Sequence, residues 1–464
     1  MAIYKPYPKY KNSNIPWLVE IPEHWEVRKV KYLFKEQDKR SLTGSEDLLS
    51  VSQYTGVTKK SDKVANGDRL TNAKTLEGYK IVSKGDLVIN IMLAWNGSLG
   101  ISKYDGIVSP AYCVYKLKEG NEKYFGYLFK TKNAQQEFKK NSTGIIDSRL
   151  RLYTDDFFSI KTAVPPFEEQ TAIARFLDYK LAKINRFIQK KKQLIKLLNE
   201  QKAAIINQAV TKGLDPNVKM KDSGIEWLGE IPEHWEVSKI KWLTPVKRGA
   251  SPRPIDDPIY FDEDGEFGWV RIADVTASER YLENTTQKLS ELGSSLSVKQ
   301  FPGDLFLSIA GSVGKPIITK IKCCIHDGFV WFPLLQINKE FIYYIFIAGR
   351  CYLGLGKMGT QLNLNTDSVG GITIPLPPTN EIDDIVEFLD LETATINTTI
   401  STIEKEIALV EEYKTALIAE AVTGKIDVRG YEVPEVTEEE TYEEIEEEIS
   451  ITSEDAEAYQ TVEE

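Results

Sequence analysis

Histidine and cysteine are scarce in this chain: three and four in 464 residues. Cys113, Cys323, Cys324 and Cys351 form no CxxC pair and no framework spacing, as expected of a reduced cytoplasmic protein with small buried thiols. A zinc site is not expected from so few ligands. Long apolar runs are missing too. The most apolar, Phe341 to Ala348, is far short of the ~20 residues a membrane span needs. The opening MAIYKPYPKY lacks the apolar stretch of a secretion signal, so no membrane partner is expected. Nor is there net positive charge: 58 Lys+Arg face 69 Asp+Glu, a balance of −11. Taken whole, that disfavours nucleic acid, which wants a basic surface. The average misleads. Residues 432–464 hold fifteen acidic side chains and no Lys or Arg, and the rest of the chain stands at +4.

Catalytic motifs are a further absence. A DNA amino-methyltransferase would carry Asn, Asp or Ser before Pro-Pro-Tyr or Pro-Pro-Phe, to hold the target amino group. Val164-Pro165-Pro166-Phe167 and Leu376-Pro377-Pro378-Thr379 have no such residue. A nuclease needs a carboxylate cluster and Glu-x-Lys around Mg²⁺. Glu200-Gln-Lys202 and Glu412-Tyr-Lys414 fit the string but fall in helical stretches with no nearby Pro-Asp. Gly311-Ser-Val-Gly314-Lys315-Pro316 has the wrong spacing for a phosphate loop, and Pro316 stands where a hydroxyl would bind Mg²⁺. No Ser/His/Asp set is visible. The chain reads as non-catalytic.

What is present is a repeat. Residues 13–33 read SNIPWLVEIPEHWEVRKVKYL and residues 223–243 read SGIEWLGEIPEHWEVSKIKWL, an offset of 210. VPPFEEQTAIARFLD from Val164 matches LPPTNEIDDIVEFLD from Leu376 at an offset of 212. The register then holds through KAAIINQAVTKG and KTALIAEAVTGK. The chain is therefore two units, about 13–212 and 223–424. The flanks are nearly identical. The interiors, about 34–163 and 244–375, have drifted, leaving anchors such as Gly85-Asp86-Leu87 against Gly303-Asp304-Leu305, Gly97–Gly100 against Gly311–Gly314, and Asp105-Gly106 against Asp327-Gly328. A repeated scaffold suits a repeated partner; divergent inserts suit two different targets.

Residues 167–212 and 379–424 read as long helices opened by Pro-Pro. Ile184, Ile188, Ile195, Leu198, Ile205 and Ala209 form one apolar stripe. Ile396, Ile400, Ile403, Ile407, Val410, Leu417 and Ala421 form another in the same phase, the seam of a coiled coil. Lys202 and Lys414 interrupt both seams at the same point, either to fix register or merely to snorkel. Residues 166–212 are net +6 and 378–424 net −9, so the two helices are expected to pair. The inserts read as mixed α/β with short strands, Leu87–Asn90 and Leu305–Ser308 among them, and short helices at 121–139 and 338–348. The tail beyond Pro434 is too charged to fold alone; it is read as a solubilising segment, or as one that mimics DNA or binds a partner.

This organisation resembles the specificity subunit of type I restriction-modification systems. The resemblance spans 13–424 and rests on the paired W-L-x-E-I-P-E-H-W-E-V segments, the Gly-Asp-Leu strands and the Pro-Pro helix entries with F-L-D at 176–178 and 388–390. It implies an α+β fold: two mixed α/β target recognition domains, each followed by a long helix. The helices would pair as an antiparallel coiled coil with pseudo-two-fold symmetry. The expected domains are 1–165, the helix 166–212, 213–377 with a linker at 213–222, the helix 378–424, and the tail 425–464. Each recognition domain would read one half of a split double-stranded DNA target. Two methyltransferase subunits would dock on the repeated regions, and restriction subunits can join. S-adenosylmethionine, ATP and Mg²⁺ would belong to those partners, with no cofactor in this chain. The alternative from another class is a coiled-coil adaptor that binds proteins without DNA specificity.

Base reading needs polar or cationic side chains on loops that reach a groove. In the first insert the candidates are Asn96, Ser98, Lys103, Ser142, Thr143, Arg149 and Arg151. In the second they are Arg253, Lys315, Lys357, Thr360, Gln361 and Asn363. Residues 1–165 are net +9 and 213–377 net −3, so the first insert should supply more phosphate attraction and the second needs a local basic patch such as Lys247, Arg248, Arg253 and Lys315. His24, Trp25, His234 and Trp235 recur identically. They are read either as a partner-docking surface or as aromatic anchors closing each domain onto its helix.

Overall fold

The computed structural model describes residues 4–63, 73–146, 149–355 and 364–434. They form two units, Met1–Gln193 with Ile403–Glu464, and Leu194–Thr402. The boundary cuts both long helices, Phe167–Lys212 and Thr379–Val422. Each helix starts after its proline pair. The Pro166 carbonyl accepts from the Glu169 and Gln170 amides at 2.9 Å, and that of Pro378 from Ile382 at 3.0 Å. Acidic first turns favour the positive end of each helix dipole. Each helix is followed by a left-handed glycine, Gly213 at φ 72° and Gly424 at φ 77°, where a side chain would be strained.

In the first unit the early part of the first long helix packs on the late part of the second. Lys414 Nζ donates to Asn185 Oδ1 at 2.8 Å, and Lys191 pairs with Glu406 at 2.7 Å. Ascending residues on one helix meet descending residues on the other, so the segments are antiparallel. In the second unit Lys202 Nζ donates to Asn397 Oδ1 at 2.9 Å, while Ile206, Ala209 and Val210 share a core with Ile382, Ile385 and Leu389. The order is again antiparallel. Ile188, Ala209, Ile396, Ile403, Ile407, Leu417 and Ala421 are buried, as the stripe requires.

The first insert is built on an antiparallel sheet of Phe34–Gln37, Tyr112–Leu117, Leu87–Asn90 and Leu99–Ile101, in that spatial order. Leu87–Asn90 is buried on both faces. Leu87 and Ile89 join the aromatic core of Phe34, Phe125, Phe129 and Phe157, while Val88 packs with Leu49, Val51, Val57 and Val114 on the other side. The second insert repeats this with Leu305–Ser308. Leu305 and Leu307 face one core, and Phe306 faces Ile317 and Phe329 in another. That strand lies in a sheet of five, and four more strands form a second sheet in which Phe267–Val270 and Cys323–Ile325 run parallel. All four cysteines are buried and unpaired.

Two details differ from the sequence reading. The stretch 121–139 is two helices, Glu122–Phe129 and Lys132–Lys140, because extended Thr131 ends one and caps the other by accepting from the Ala134 amide at 3.3 Å. The other short helix is as expected, Lys339–Ala348 starting from the Asn338 cap. Asp105-Gly106 and Asp327-Gly328 are not counterparts in space. Asp105 precedes strand Gly106–Val108, whereas Asp327 follows the corresponding strand Cys323–Ile325. The tail from 435 onward, with its readings, lies outside the described residues.

Candidate nucleic-acid interface

The identical IPEHWEV segments make the same anchor in each unit. A short hairpin, Tyr10–Asn12 with Glu20–Pro22, leads into a turn in which the Trp25 amide donates to the Pro22 carbonyl at 3.0 Å. The buried indole donates from Nε1 to Glu169 Oε1 at 2.9 Å, and His24 Nε2 reaches Glu169 Oε2 at 2.7 Å. In the second unit Trp235 donates to Glu381 at 2.8 Å and His234 reaches it at 2.7 Å. Each indole also lies under the glycine that ends the other long helix. A Cβ on Gly424 would come within 3.0 Å of Trp25, and one on Gly213 within 3.1 Å of Trp235. One indole thus ties the start of one helix to the end of the other. Both indoles are buried, so the half-exposed imidazoles are the part a partner could touch. The twins differ in one respect. Glu169 also accepts from Tyr7 Oη and is 5% exposed, whereas Glu381 is 34% exposed. Burial, then the Glu169 carboxylate, raises the Tyr7 phenol far above its ordinary value, so it stays a donor.

The F-L-D aspartates clasp each insert to its helix. Asp178 accepts from Tyr127 Oη at 2.6 Å and Lys123 Nζ at 2.7 Å. Asp390 accepts from Tyr344 Oη at 2.6 Å and Arg280 Nη1 at 2.5 Å. The Arg280 guanidinium also sits 5.0–5.3 Å from the rings of Tyr281, Tyr343 and Tyr344, a cation–π cage. Burial first, then the aspartate, raises both clasp phenols.

In the first unit most candidate readers fall on two adjoining loops. Asn96 Oδ1 accepts from the Ser98 amide at 3.2 Å and the Ser98 hydroxyl at 2.9 Å, so buried Ser98 shapes the turn. Ser142 Oγ donates to the Phe138 carbonyl at 2.7 Å. Thr143 and Arg151 exchange backbone hydrogen bonds of 2.9 Å, with Arg149 exposed between them. The Arg151 guanidinium donates to the Leu150 carbonyl at 2.8 Å. The Leu152 amide donates to Ile91 at 2.9 Å and stitches the loops together, and Lys139 lies 5.1 Å over the Trp95 ring. Lys103 is apart, in the turn at the other end of the Leu87–Asn90 and Leu99–Ile101 hairpin.

In the second unit Arg253 projects into solvent beside a cleft of about 400 Å³ lined by Ser251, Ile255, Trp269, His326 and Asp327. Lys315 Nζ is half-buried and donates to the Thr276 carbonyl at 3.0 Å, and burial lowers its pKa. Lys357, Thr360, Gln361 and Asn363 lie outside the described residues. Among the described residues no three His, Cys, Asp or Glu side chains gather as metal ligands would, and no helix is long and apolar enough to cross a membrane.

Several residues that do structural work at the site went unused in the sequence reading. Glu169 and Glu381 share the 212 offset, as do Asn185 and Asn397, so the repeat itself carried the signal. Ile145, 99% exposed in the loop beside Thr143, is marked by no repeat match in the sequence.

Comparison with known proteins gives a consistent picture. The model of the type I restriction modification DNA specificity domain matches twice, at residues 22–197 and 232–409. The type I restriction enzyme MjaVIII specificity subunit of Methanocaldococcus jannaschii is 27% identical over 454 residues, covering 90% of this chain and 97% of that protein. The putative MjaX specificity subunit of the same organism is 26% identical, covering 92% and 100%. A solved chain from a study of complex assembly and conformational transition of the type I R-M system shares the fold. Its TM-score is 0.66 at 16% identity, over 88% of this chain and 99% of that one.

Proposed function

The chain belongs to the family of type I restriction-modification DNA specificity domains, and from that premise we propose how its parts divide the work. It is a specificity subunit of such a system, a non-catalytic chain whose partners are DNA and other subunits of the complex. A DNA specificity domain matched over both halves decides against an adaptor without DNA specificity. In our reading the first unit reads one half of a bipartite duplex target and the second unit the other. The loops around Asn96, Thr143, Arg149 and Arg151 face one half-site, and the surface around Arg253 and Lys315 faces the other. The helices act as a ruler. At ~1.5 Å per residue, the 46 residues of Phe167–Lys212 span roughly 70 Å. Two methyltransferase subunits dock on the repeated regions, and restriction subunits can join them. S-adenosylmethionine, ATP and Mg²⁺ act in those subunits, in the cytoplasm, on adenine methylation and ATP-dependent cleavage.

The observation that carries the reading is the pairing of identical anchors with unlike inserts. The Trp–Glu tie and the Asp–Tyr clasp occur in both units, while the sheets they hold differ. The frame is the same in both units and what it presents is not. The test is methylation-sensitive sequencing of DNA from cells carrying this chain and its methyltransferase. A split motif with a fixed gap is expected. Replacing 34–163 by the insert of a relative should change one half of that motif only. A change in both halves, or no split motif, refutes the reading.

A further inference from the structure

The second unit has to recognise DNA with a stretch, 213–377, that is net −3, so general phosphate attraction is weak there. One exposed candidate cation there, Arg253, is held by several contacts. Arg253 lies between Pro252 and Pro254, which restrict the backbone on both sides. The Tyr260 hydroxyl donates to the Arg253 carbonyl at 3.0 Å, and the Asp257 amide to that of Pro254 at 3.2 Å. Upstream, the Gly249 amide donates to Phe329 at 2.9 Å and that of Ala250 to Ile325 at 3.1 Å. A Cβ on Gly249 would collide with the His326 carbonyl. The segment is thus pinned to the end of a sheet.

The side chain is steered as well. It is 80% exposed, yet Nη2 lies 3.4 Å from Asp327 Oδ2. The other Asp327 oxygen accepts from Ser251 Oγ at 3.1 Å, and the Arg248 guanidinium donates to the Asp327 carbonyl. Asp327 is therefore held by its neighbours and in turn aims the guanidinium. Beside it the cleft is floored by buried Trp269 and by His326, whose rings lie 5.8 Å apart. Burial lowers the pKa of His326, so the cleft adds no second cation at neutral pH.

A phosphate contact needs only charge, and a flexible lysine on an unobstructed basic surface supplies it. Here the cation stands on a pinned backbone, has Asp327 beside it and Asp256 and Asp257 close in sequence, and is presented as a planar fork. Carboxylates nearby weaken attraction to a phosphate but preserve the fork's geometry. A fork with two parallel N–H donors matches the N7 and O6 acceptors of guanine in the major groove. We propose that Arg253 reads a guanine in the half-site contacted by the second unit, with Asp327 and Ser251 as its positioning residues. This rests on the reading of the second unit as a DNA recognition domain.

The test is selection from a pool of randomised duplex DNA by the full chain bound to its methyltransferase, followed by sequencing of the retained duplexes. Wild type should enrich a split motif with a guanine in one half. R253K keeps the charge and loses the fork, so it should lower the preference for that guanine about tenfold to a hundredfold, the range of a bidentate arginine–guanine contact. The other half should be unchanged. R253Q should do the same, and D327N should weaken the same position by less. Arg253 is exposed, so these variants should keep the wild-type circular dichroism spectrum. An unchanged motif in R253K overturns the proposal. So does a uniform loss of affinity in R253Q with R253K near wild type, because that is the behaviour of a phosphate contact. If wild type itself enriches no split motif, the function proposed above fails instead.

Discussion

The twin indole anchors provide their own control. Trp25→Phe and Trp235→Phe keep most of the ring packing and delete one N–H donor each. In the first unit the deleted donor leaves Glu169 Oε1 with the Tyr7 hydroxyl alone, on a side chain only 5% exposed. Water has little access to replace it. A hydrogen bond to a charged group contributes ~1.5–3 kcal/mol when its loss is not compensated. In the second unit Glu381 is 34% exposed, and water can take the place of the indole. The net loss there should be nearer the ~0.5–1.5 kcal/mol of an ordinary exchange. With about 2 against about 1 kcal/mol, the first turn of the helix should open roughly thirtyfold more often in Trp25→Phe and roughly fivefold more often in Trp235→Phe. Hydrogen–deuterium exchange on peptides covering 167–175 and 379–387 reads these openings separately, which a single melting curve for a two-unit chain does not. Equal effects, or a larger effect from Trp235→Phe, would refute burial of the acceptor as the deciding variable.

Three further outcomes follow from the same contacts. Asp390→Asn should lower the thermal stability of the second unit by about 2 kcal/mol, more than Asp178→Asn does in the first, because Arg280 is far more enclosed than Lys123 and would lose its ion-pair partner. Lys202→Met with Lys414→Met should leave the denaturation midpoint within about 1 kcal/mol but blur the gap in the methylated motif, since a polar pair on an apolar seam fixes register more than stability; an unchanged gap would mean the seam alone sets it. Burial, aided by Lys414, lowers the Lys130 pKa from 10.5 to about 8. Between those values the unfolded chain binds the extra proton, so the first unit should gain stability as pH rises from 8 toward 10, and Lys130→Met should flatten that rise in urea melts.

The scaffold was more legible than the site. Helix ends, the apolar seam and the two-sided strands follow from spacing and from proline and glycine, which act over a few residues. The repeat supplied what single-copy patterns cannot, because a residue kept at the same offset in both copies marks a contact made twice. Glu169 with Glu381 and Asp178 with Asp390 show how far that signal reached: the pairs were visible as matches, but their partners Trp25 and Tyr127 lie 144 and 51 residues away. The candidate readers carry no such mark, since the inserts have diverged. Ser98 illustrates the difficulty. Its residue type suits base reading, yet it is buried and bonded to Asn96. Arg253 resembled any exposed arginine until Asp327, 74 residues on, was seen to hold it. Contacts of that range are set by topology, and topology differs between the two inserts.

The helix contacts contain an ambiguity that the charges resolve. Asn185 and Lys202 of the first helix sit at the same repeat positions as Asn397 and Lys414 of the second, and each lysine meets the asparagine of the other helix. Either helix alone carries both members of the pair. Two copies of the first helix, run antiparallel, could therefore make the same Lys–Asn contacts and the same seam. Apolar seams and Lys–Asn pairs do not distinguish like from unlike. Net charge does: +6 against +6 and −9 against −9 repel, while +6 against −9 attracts, as in Lys191 with Glu406. Attraction alone would be worth little for exposed pairs. Its larger contribution is to penalise the wrong partner, a second copy of the same helix. The acidity that first argued against a DNA partner is thus, in part, what sets the unlike helix pairing apart from the like one.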